Sequence, residues 1–212
     1  MKKRMFNDRY GLTEAVLNGT KTITRSLITP QPTGNAEFAG MHFLTEVVGK
    51  KVKKQKLRAD FSDNLTVVSP FNFYDVIAVA QCYRDIGLET LVNIATNVDG
   101  KSPDISTFQS AGRNNKMFVK AEYMPHRIRI DKVRVERLQD ISDEDCLKEG
   151  IKIGHSPRRG KQYYYIDKNY NAPRGIKRTP REAFAQLIDD VMGKGTWKSN
   201  PWVWVYEFTL IQ

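Results

Sequence analysis

Residues 19–25, Gly19-Thr20-Lys21-Thr22-Ile23-Thr24-Arg25, are the segment around which the rest of this sequence is arranged. The segment carries one ammonium, three hydroxyls and one guanidinium, and Ile23 is its only apolar side chain. Threonine and isoleucine are β-branched and favour an extended backbone, so a strand is predicted to begin here. A segment this rich in hydrogen-bond donors can floor a pocket that holds an anion or the edge of a base. A solvated edge strand is the alternative.

A short helix is predicted immediately before this segment. Leu12, Ala15 and Val16 are spaced i, i+3, i+4, which gives two helical turns one apolar stripe. Gly19 then stands where a left-handed helix end is needed, so the chain can turn sharply towards Lys21.

The charge of the chain indicates its class of partner. The 212 residues include 34 Lys and Arg against 24 Asp and Glu, a formal net charge of +10. Such a surplus attracts polyanions, so nucleic acid is the first partner to expect and an anionic membrane surface the second. No apolar run approaches the roughly 20 residues that span a bilayer, so no membrane segment is predicted. The basic start of the sequence lacks the apolar segment of a secretion signal.

Metal and redox sites are not expected from the sequence. Cys82 and Cys146 are the only cysteines and lie in apolar patterns, so both are interpreted as small buried residues in a reducing cytoplasm. His42, His126 and His155 lie far apart, each without a neighbouring metal ligand. No metal and no cofactor are therefore predicted. His126 is interpreted as a structural histidine, with a place in a pocket as the alternative.

Four further segments are predicted to be strands. Tyr74–Tyr83 is apolar on both faces, as at the centre of a sheet, and Lys116–Ala121 is a shorter candidate. Arg127–Leu138 alternates charged and apolar residues, which predicts a half-buried strand with a bend near Lys132. An aromatic strand, Trp202–Ile211, ends the sequence. The outer face of the third strand is expected to be basic through Arg127, Arg129, Arg134 and Arg137.

Helices and loops separate these strands. Ser142 and the acids after it predict a helix that Gly150 closes, and Leu88–Ala95 is a short helix candidate. Thr179-Pro180-Arg181-Glu182 is a capping box with proline at the first helical position, ahead of an amphipathic run. Residues 29–40 and 97–113 are expected to be loops.

Two basic segments are candidates for contact with nucleic acid. Residues 50–58 form either a solvated hairpin arm or an arm that contacts phosphates. Residues 152–178 combine basic residues with tyrosines whose rings either stack on bases or cover the core. The predicted nucleic-acid contacts are Arg25, Lys50, Lys51, Lys53, Lys54, Arg127, Arg129, Arg158, Arg159, Tyr163 and Tyr164.

Strands separated by short helices and turn-rich segments predict an α+β fold that contains a small barrel with flanking helices. The sequence has no internal repeat, low-complexity tract or convincing linker. Residues 1–212 are therefore expected to form a single domain with insertions at about 41–70, 97–115 and 152–178.

The order of these features resembles the ASCH domain, a relative of the PUA barrel. The resemblance is carried by the opening helix, the Gly19–Arg25 segment, the Tyr74–Val79 strand and the final Trp202–Phe208 strand. Val133–Ser142 followed by Glu149-Gly150 is similar to the strand and helix of phage-encoded and bacterial members. The resemblance implies a small β-barrel with a cleft beside Lys21 and a role in binding RNA or a nucleotide.

The resemblance also implies a set of catalytic residues. Some short bacterial members are amidohydrolases that remove the acetyl group from N4-acetylcytidine, and their lysine, threonine and glutamate fall on Lys21, Thr24 and Glu149. In such an enzyme Lys21 acts as base or nucleophile, Thr24 orients a water or the carbonyl, and Glu149 passes a proton to the leaving amine. Positions 21 and 24 face opposite sides of an ideal strand, so a shared pocket requires a kinked backbone.

Three functions are consistent with the sequence. Binding of RNA, other nucleic acid or a modified nucleoside in a basic cleft is favoured. Hydrolysis of an N4-acetylcytidine-like nucleoside is second, and a protein adaptor that needs no pocket is third. The oligomeric state, and the choice between RNA and DNA, do not follow from the sequence.

Overall fold

The computed structural model describes residues 1–48, 51–155, 162–166 and 174–211, with the side chains of 46–48, 51–54 and 174–175 left aside. The described residues alternate short helices with strands, and this confirms the predicted α+β class. The helices are α1 (Leu12–Leu17), α2 (Tyr83–Ile86), α3 (Leu88–Asp99), α4 (Ser106–Gln109), α5 (Asp143–Lys148), α6 (Pro180–Met192) and α7 (Thr196–Ser199). The strands are β1 (Lys3–Arg4), β2 (Ile23–Leu27), β3 (Phe38–Val48), β4 (Lys51–Phe61), β5 (Thr66–Val68), β6 (Val76–Val79), β7 (Arg127–Arg137), β8 (Lys152–His155), β9 (Gln162–Ile166), β10 (Arg174–Lys177) and β11 (Trp202–Ile211).

The central sheet has five strands in the order β1-β6-β7-β11-β2. β1 runs parallel to β6, and the other neighbours are antiparallel. β11 lies between β7 and β2; it pairs with β7 from end to end and with β2 over Val203–Glu207, as its aromatic and β-branched residues favour. Within the described residues the ladder hydrogen bonds leave β1 and β2 as the two edges of this sheet.

β7 confirms the predicted alternation and bend. Ile128, Ile130 and Val133 are buried, and the change of side occurs where the pairing with β11 shifts register, which leaves Asp131 unpaired. The extra residue returns the apolar side chains to the core face on both sides of the bend.

Two smaller sheets occupy predicted insertions. β3, β4 and β5 form an antiparallel sheet within residues 38–68, and β8, β9 and β10 form another within residues 152–177. The loop predicted for residues 29–40 ends where β3 begins at Phe38.

Other predicted boundaries are wrong. The Tyr74–Tyr83 strand is reduced to β6, and Tyr83 opens α2. The Lys116–Ala121 strand is absent, and two 3₁₀ turns, Lys116–Phe118 and Ala121–Tyr123, stand in its place. Asn115 caps the first turn by accepting a 2.9 Å hydrogen bond from the Met117 amide, a local bond that competes with strand pairing.

Two clusters of buried residues support the fold. The larger lies between the central sheet, α1 and α6, and the smaller gathers α3, α4 and the 3₁₀ turns around Tyr83, Phe108 and Tyr123. Cys82 and Cys146 are both buried, as predicted. Among the described residues no helix has the length and apolar character to cross a bilayer.

Candidate functional site

A pocket of about 300 Å³ lies between the start of the chain, the Lys21 segment and α6. One wall is apolar and comes from the inner face of α6. The floor is polar and comes from the start of the chain, the Lys21 segment and the residue that follows α5. The lining residues used below are Arg4, Lys21, Thr24, Arg25, Glu149 and Phe184.

Lys21 and Thr24 reach the same pocket because Lys21 precedes the strand. Gly19 adopts a left-handed φ of 76°, and the Lys21 amide donates a 2.8 Å hydrogen bond to the Ala15 carbonyl at the end of α1. β2 begins at Ile23, so Lys21 lies outside the strand and the alternation of an ideal strand does not separate positions 21 and 24. Both side chains line the same pocket.

Glu149 is brought to Lys21 by the end of α5. Ser142 caps this helix by accepting from the Asp145 amide at 3.1 Å, and Glu149 follows its last turn. Gly150 then turns with φ of 104°, and a Cβ placed on it would lie 3.1 Å from Leu12 and 3.8 Å from the Lys21 side chain. A glycine at this position lets the chain pass close to the Lys21 side chain without strain.

The Lys21 ammonium is almost completely removed from solvent. Lys21 is 2% exposed, and its Nζ donates to the Glu149 Oε2 at 2.5 Å and to the carbonyls of Ile23 and Glu149 at 2.8 Å each. Burial lowers the pKa of Lys21; the Glu149 carboxylate opposes the shift, and the positive charges of Arg4 and Arg25 add to it.

Arg25 holds the other oxygen of the same carboxylate. Its Nη1 donates to the Glu149 Oε1 at 2.9 Å, and its Nη2 donates to Glu136 at 2.6 Å and to Asp145 at 3.2 Å. Burial alone would lower the pKa of Arg25, but the carboxylates of Glu149 and Glu136 outweigh it and raise the pKa above the usual value. Arg25 is thus engaged by three carboxylates, and its predicted contact with nucleic acid stays a prediction.

Arg134 extends this network away from the pocket. It bonds Glu136 at 3.1 Å, Glu207 at 2.6 Å and the Asp145 carboxylate. The expected basic face of β7 is therefore partly neutralised: Arg134 is ion-paired and Arg129 donates to Asp131 at 2.7 Å. Arg137 lies over the Trp202 ring at 4.4 Å.

Arg4 closes the polar side of the pocket. Its Nη2 lies 3.4 Å from both the Thr24 hydroxyl and the Arg25 carbonyl, long for hydrogen bonds. Its Nε is buried without a hydrogen-bond partner, and it forms no ion pair with a carboxylate of the described residues. Burial lowers the pKa of Arg4, a shift that Tyr206 and Glu149 oppose.

The structure brings together Lys21, Thr24, Arg25 and Glu149 in the lining of this pocket. Among the predicted contacts whose side chains the structure describes, Arg127, Arg129, Tyr163 and Tyr164 are not part of that lining. Arg127 and Arg129 lie on β7, and the backbones of Lys51, Lys53 and Lys54 belong to β4. Tyr163 and Tyr164 lie on β9, where Tyr164 packs on the larger core and the Tyr163 ring lies 5.8 Å from that of Tyr165. Lys50, Arg158 and Arg159 lie outside the described residues. These contacts remain predictions.

His126 lies apart from the pocket lining. Its Nδ1 lies 2.8 Å from the Gln81 side-chain oxygen, in keeping with the structural interpretation.

The sequence analysis did not identify Arg4, Glu136 and Asp145 as site residues. Arg4 was interpreted only as part of a basic start, and the two acids as an alternating strand residue and a helix-opening residue. The sequence shows that acidic and basic residues are both present, but it does not show which carboxylate pairs with which basic side chain.

The pocket therefore combines a buried amine–carboxylate pair, a hydroxyl, an under-satisfied guanidinium and an apolar wall. No family model, curated protein or solved structure matches this chain, so the case for its function rests on this geometry.

Proposed function

We propose that this chain is an ASCH-type, PUA-like protein whose pocket binds a modified nucleoside and hydrolyses an acyl amide on its base, as in N4-acetylcytidine. The observation that carries the proposal is the contact between Lys21 and Glu149, 128 residues apart in sequence, at 2.5 Å in the floor of the pocket. The ASCH resemblance implies a lysine and a glutamate at these two positions.

The sheet supports the ASCH part of the proposal. Its two edge strands, β1 and β2, approach each other through the Arg4 side chain, which reaches from β1 to the Arg25 carbonyl on β2. The ladder hydrogen bonds of the described strands leave this sheet open, so its closure into a small barrel is part of the proposal.

The shape of the pocket suits a nucleobase. Ligand pockets are commonly about 300–1,000 Å³, with mostly apolar walls and a few placed polar groups. Leu187, Ile188 and Val191 of α6 give the pocket an apolar surface, and Phe184 behind them is fully buried. A flat base can lie against the apolar wall while its exocyclic amide meets Lys21, Thr24 and Glu149.

The Lys21–Glu149 pair can supply both proton transfers that amide hydrolysis needs. Transfer of one proton from Nζ to Oε2 converts the ion pair into a neutral amine and a carboxylic acid. The Lys21 amine then takes a proton from water as the hydroxide adds to the acyl carbon. Glu149 next protonates the nitrogen of the base, and the carbon–nitrogen bond breaks. The products are the free exocyclic amine and the carboxylic acid, and the pair is again Lys21 ammonium and Glu149 carboxylate.

The neighbouring residues of the pocket set the protonation and the position of the Lys21–Glu149 pair. Burial together with the charges of Arg4 and Arg25 favours the neutral amine. Arg25 also fixes the Glu149 carboxylate through Oε1 and leaves Oε2 to Lys21. The Thr24 hydroxyl lines the same floor and can hydrogen-bond the acyl carbonyl or the attacking water.

Incubation of the purified chain with N4-acetylcytidine, followed by chromatography for cytidine and acetate, tests the proposal. The wild type is expected to release both, and Lys21→Met and Glu149→Gln are expected to release neither. Lys198→Met is the matched control because Lys198 is an exposed lysine on α7, outside the pocket lining. A folded wild type that releases no cytidine, or a Lys21→Met variant as active as the control, contradicts the proposal.

Binding of a polynucleotide is the second candidate, and a second hollow favours it. This hollow has a volume of about 590 Å³ and is lined in part by Thr20, Lys148, Gly150, Lys152 and Tyr165. Its two lysines can contact phosphates, and the Tyr165 ring can stack on a base. Affinity for an RNA pool should then fall steeply with salt, and Tyr165→Ala should weaken it. Salt-independent binding would contradict this candidate.

A further inference from the structure

We propose that Arg4 is the residue that binds the acyl oxygen of the ligand, so that the pocket has a dedicated site for an anionic oxygen beside Thr24. The inference rests on the proposed function for the identity of the acyl group. The anionic-oxygen site itself follows from the contacts of Arg4.

The charges of the pocket leave Arg4 uncompensated. The Lys21 ammonium is paired with Glu149, and the Arg25 guanidinium is paired with Glu149, Glu136 and Asp145. Arg4 forms no ion pair with a carboxylate of the described residues, and its closest polar contacts are two 3.4 Å approaches of Nη2. A largely buried guanidinium without a carboxylate is costly unless a ligand supplies the missing acceptor.

The position of Arg4 defines the kind of acceptor. Its guanidinium lines the pocket and lies beside the Thr24 hydroxyl, so the two side chains present N–H and O–H donors to one place. An amide carbonyl oxygen becomes an oxyanion when water adds to the acyl carbon, and it becomes a carboxylate oxygen in the product. Donors placed at such an oxygen stabilise the transition state more than the substrate.

Arg4 is expected to contribute little to the fold. Its Nε has no partner, and its side chain makes only long hydrogen bonds, so its removal breaks no strong contact. The backbone of Arg4, which pairs with Val79 of β6, is retained in any substitution. Loss of the Arg4 side chain is therefore expected to affect ligand binding more than stability.

The test uses acetate as the probe and the full chain in three forms: wild type, Arg4→Gln and the control Arg84→Gln. Arg84 is an exposed arginine of α2, away from this pocket. Acetate is titrated while the Thr24 amide resonance is followed by NMR, with acetamide as the neutral isostere and inorganic phosphate as the alternative anion. Acetate is expected to shift the Thr24 resonance in wild type and control but not in Arg4→Gln, and acetamide to act more weakly. Stronger binding of phosphate than of acetate would assign the site to a nucleotide phosphate rather than to the acyl group.

A second readout separates binding from structure. The Tm of Arg4→Gln is expected to equal or exceed that of the wild type, and its kcat for N4-acetylcytidine should fall by roughly 10²–10³-fold with a smaller change in KM. An acetate shift that survives in Arg4→Gln, or the absence of any acetate shift in wild type, overturns the inference. A clear acetate shift in a wild type that hydrolyses nothing would instead remove the proposed hydrolysis and leave the anion site standing.

Discussion

Replacement of Glu149 by glutamine tests whether the buried charges of the pocket are balanced as the structure indicates. The substitution keeps the shape of the side chain and removes its charge. Glu149 is 4% exposed and accepts from both Lys21 and Arg25. After the change Arg25 keeps Glu136 and Asp145, whereas Lys21 keeps only backbone carbonyls.

The expected loss of stability follows from this difference between Arg25, which keeps carboxylate partners, and Lys21, which does not. A buried charge that loses its partner costs about 3–5 kcal/mol, and here that charge is the Lys21 ammonium. Lys21→Met should cost less, about 1–3 kcal/mol, because Glu149 remains paired with Arg25. In the double variant no unpaired ammonium is left, so it should be more stable than Glu149→Gln alone.

Urea unfolding followed by circular dichroism measures the three free energies of unfolding. Glu144→Gln is the matched control because Glu144 is an exposed glutamate of α5 that pairs with the exposed Lys148 at 2.6 Å. Pairs of this kind contribute little, so the control should unfold with the wild type. A loss below about 1 kcal/mol in Glu149→Gln, or a double variant whose loss equals the sum of the two singles, would refute this account of the pocket.

Three further predictions concern the pocket and its supports. The kcat/KM for N4-acetylcytidine should fall with rising pH through an apparent pKa below the usual 10.5 of lysine, because burial disfavours the ammonium and the Lys21–Glu149 pair then loses the proton that Glu149 must donate. Arg4→Gln should move this limb to higher pH, because loss of a nearby positive charge favours the ammonium. Phe184→Ala should lower the free energy of unfolding by about 3–5 kcal/mol in urea, because Phe184 is fully buried and packs against Trp197. Tyr206→Phe should cost about 1 kcal/mol in the same assay, through loss of the 2.9 Å hydrogen bond to Ser69, while hydrolysis is retained.

Local chemistry was sufficient where neighbouring residues decide the structure. The capping box of α6 forms: the Thr179 hydroxyl accepts from the Glu182 amide at 3.2 Å, Pro180 opens the helix, and the Glu182 carboxylate accepts from the Arg178 amide. The alternation of β7 likewise predicted its buried face. Each of these two patterns depends on residues close together in the chain, so it can be predicted from the sequence alone.

Local chemistry failed where a distant partner decides. Residues 116–118 have the composition of a strand, but the Lys116 ammonium reaches the Phe6 carbonyl at 2.9 Å and the Thr13 hydroxyl at 2.7 Å, which holds the segment beside the start of the chain. No periodic pattern in the sequence predicts such a long-range contact.

The candidate site divides in the same way. The composition of residues 19–25 indicates a pocket segment, and the ASCH resemblance implies Lys21, Thr24 and Glu149 within the site. The partners of Arg25 are separated from it by 111 residues for Glu136 and 120 for Asp145, so only the folded sheet reveals them. Arg4 does not follow from the sequence, because its distinguishing feature is a buried Nε without a hydrogen-bond partner and only long contacts of Nη2.

The pocket draws its floor from residues 4–25 and 149 and its opposite wall from α6, which ends at Met192. During synthesis on the ribosome, a nascent chain therefore holds Lys21 long before it holds the α6 wall of the pocket. Ligand binding can stabilise only the finished product, by about 2.7 kcal/mol at a hundredfold excess over Kd. A cell that contains the ligand would thus protect completed copies from proteolysis and leave truncated ones exposed to it.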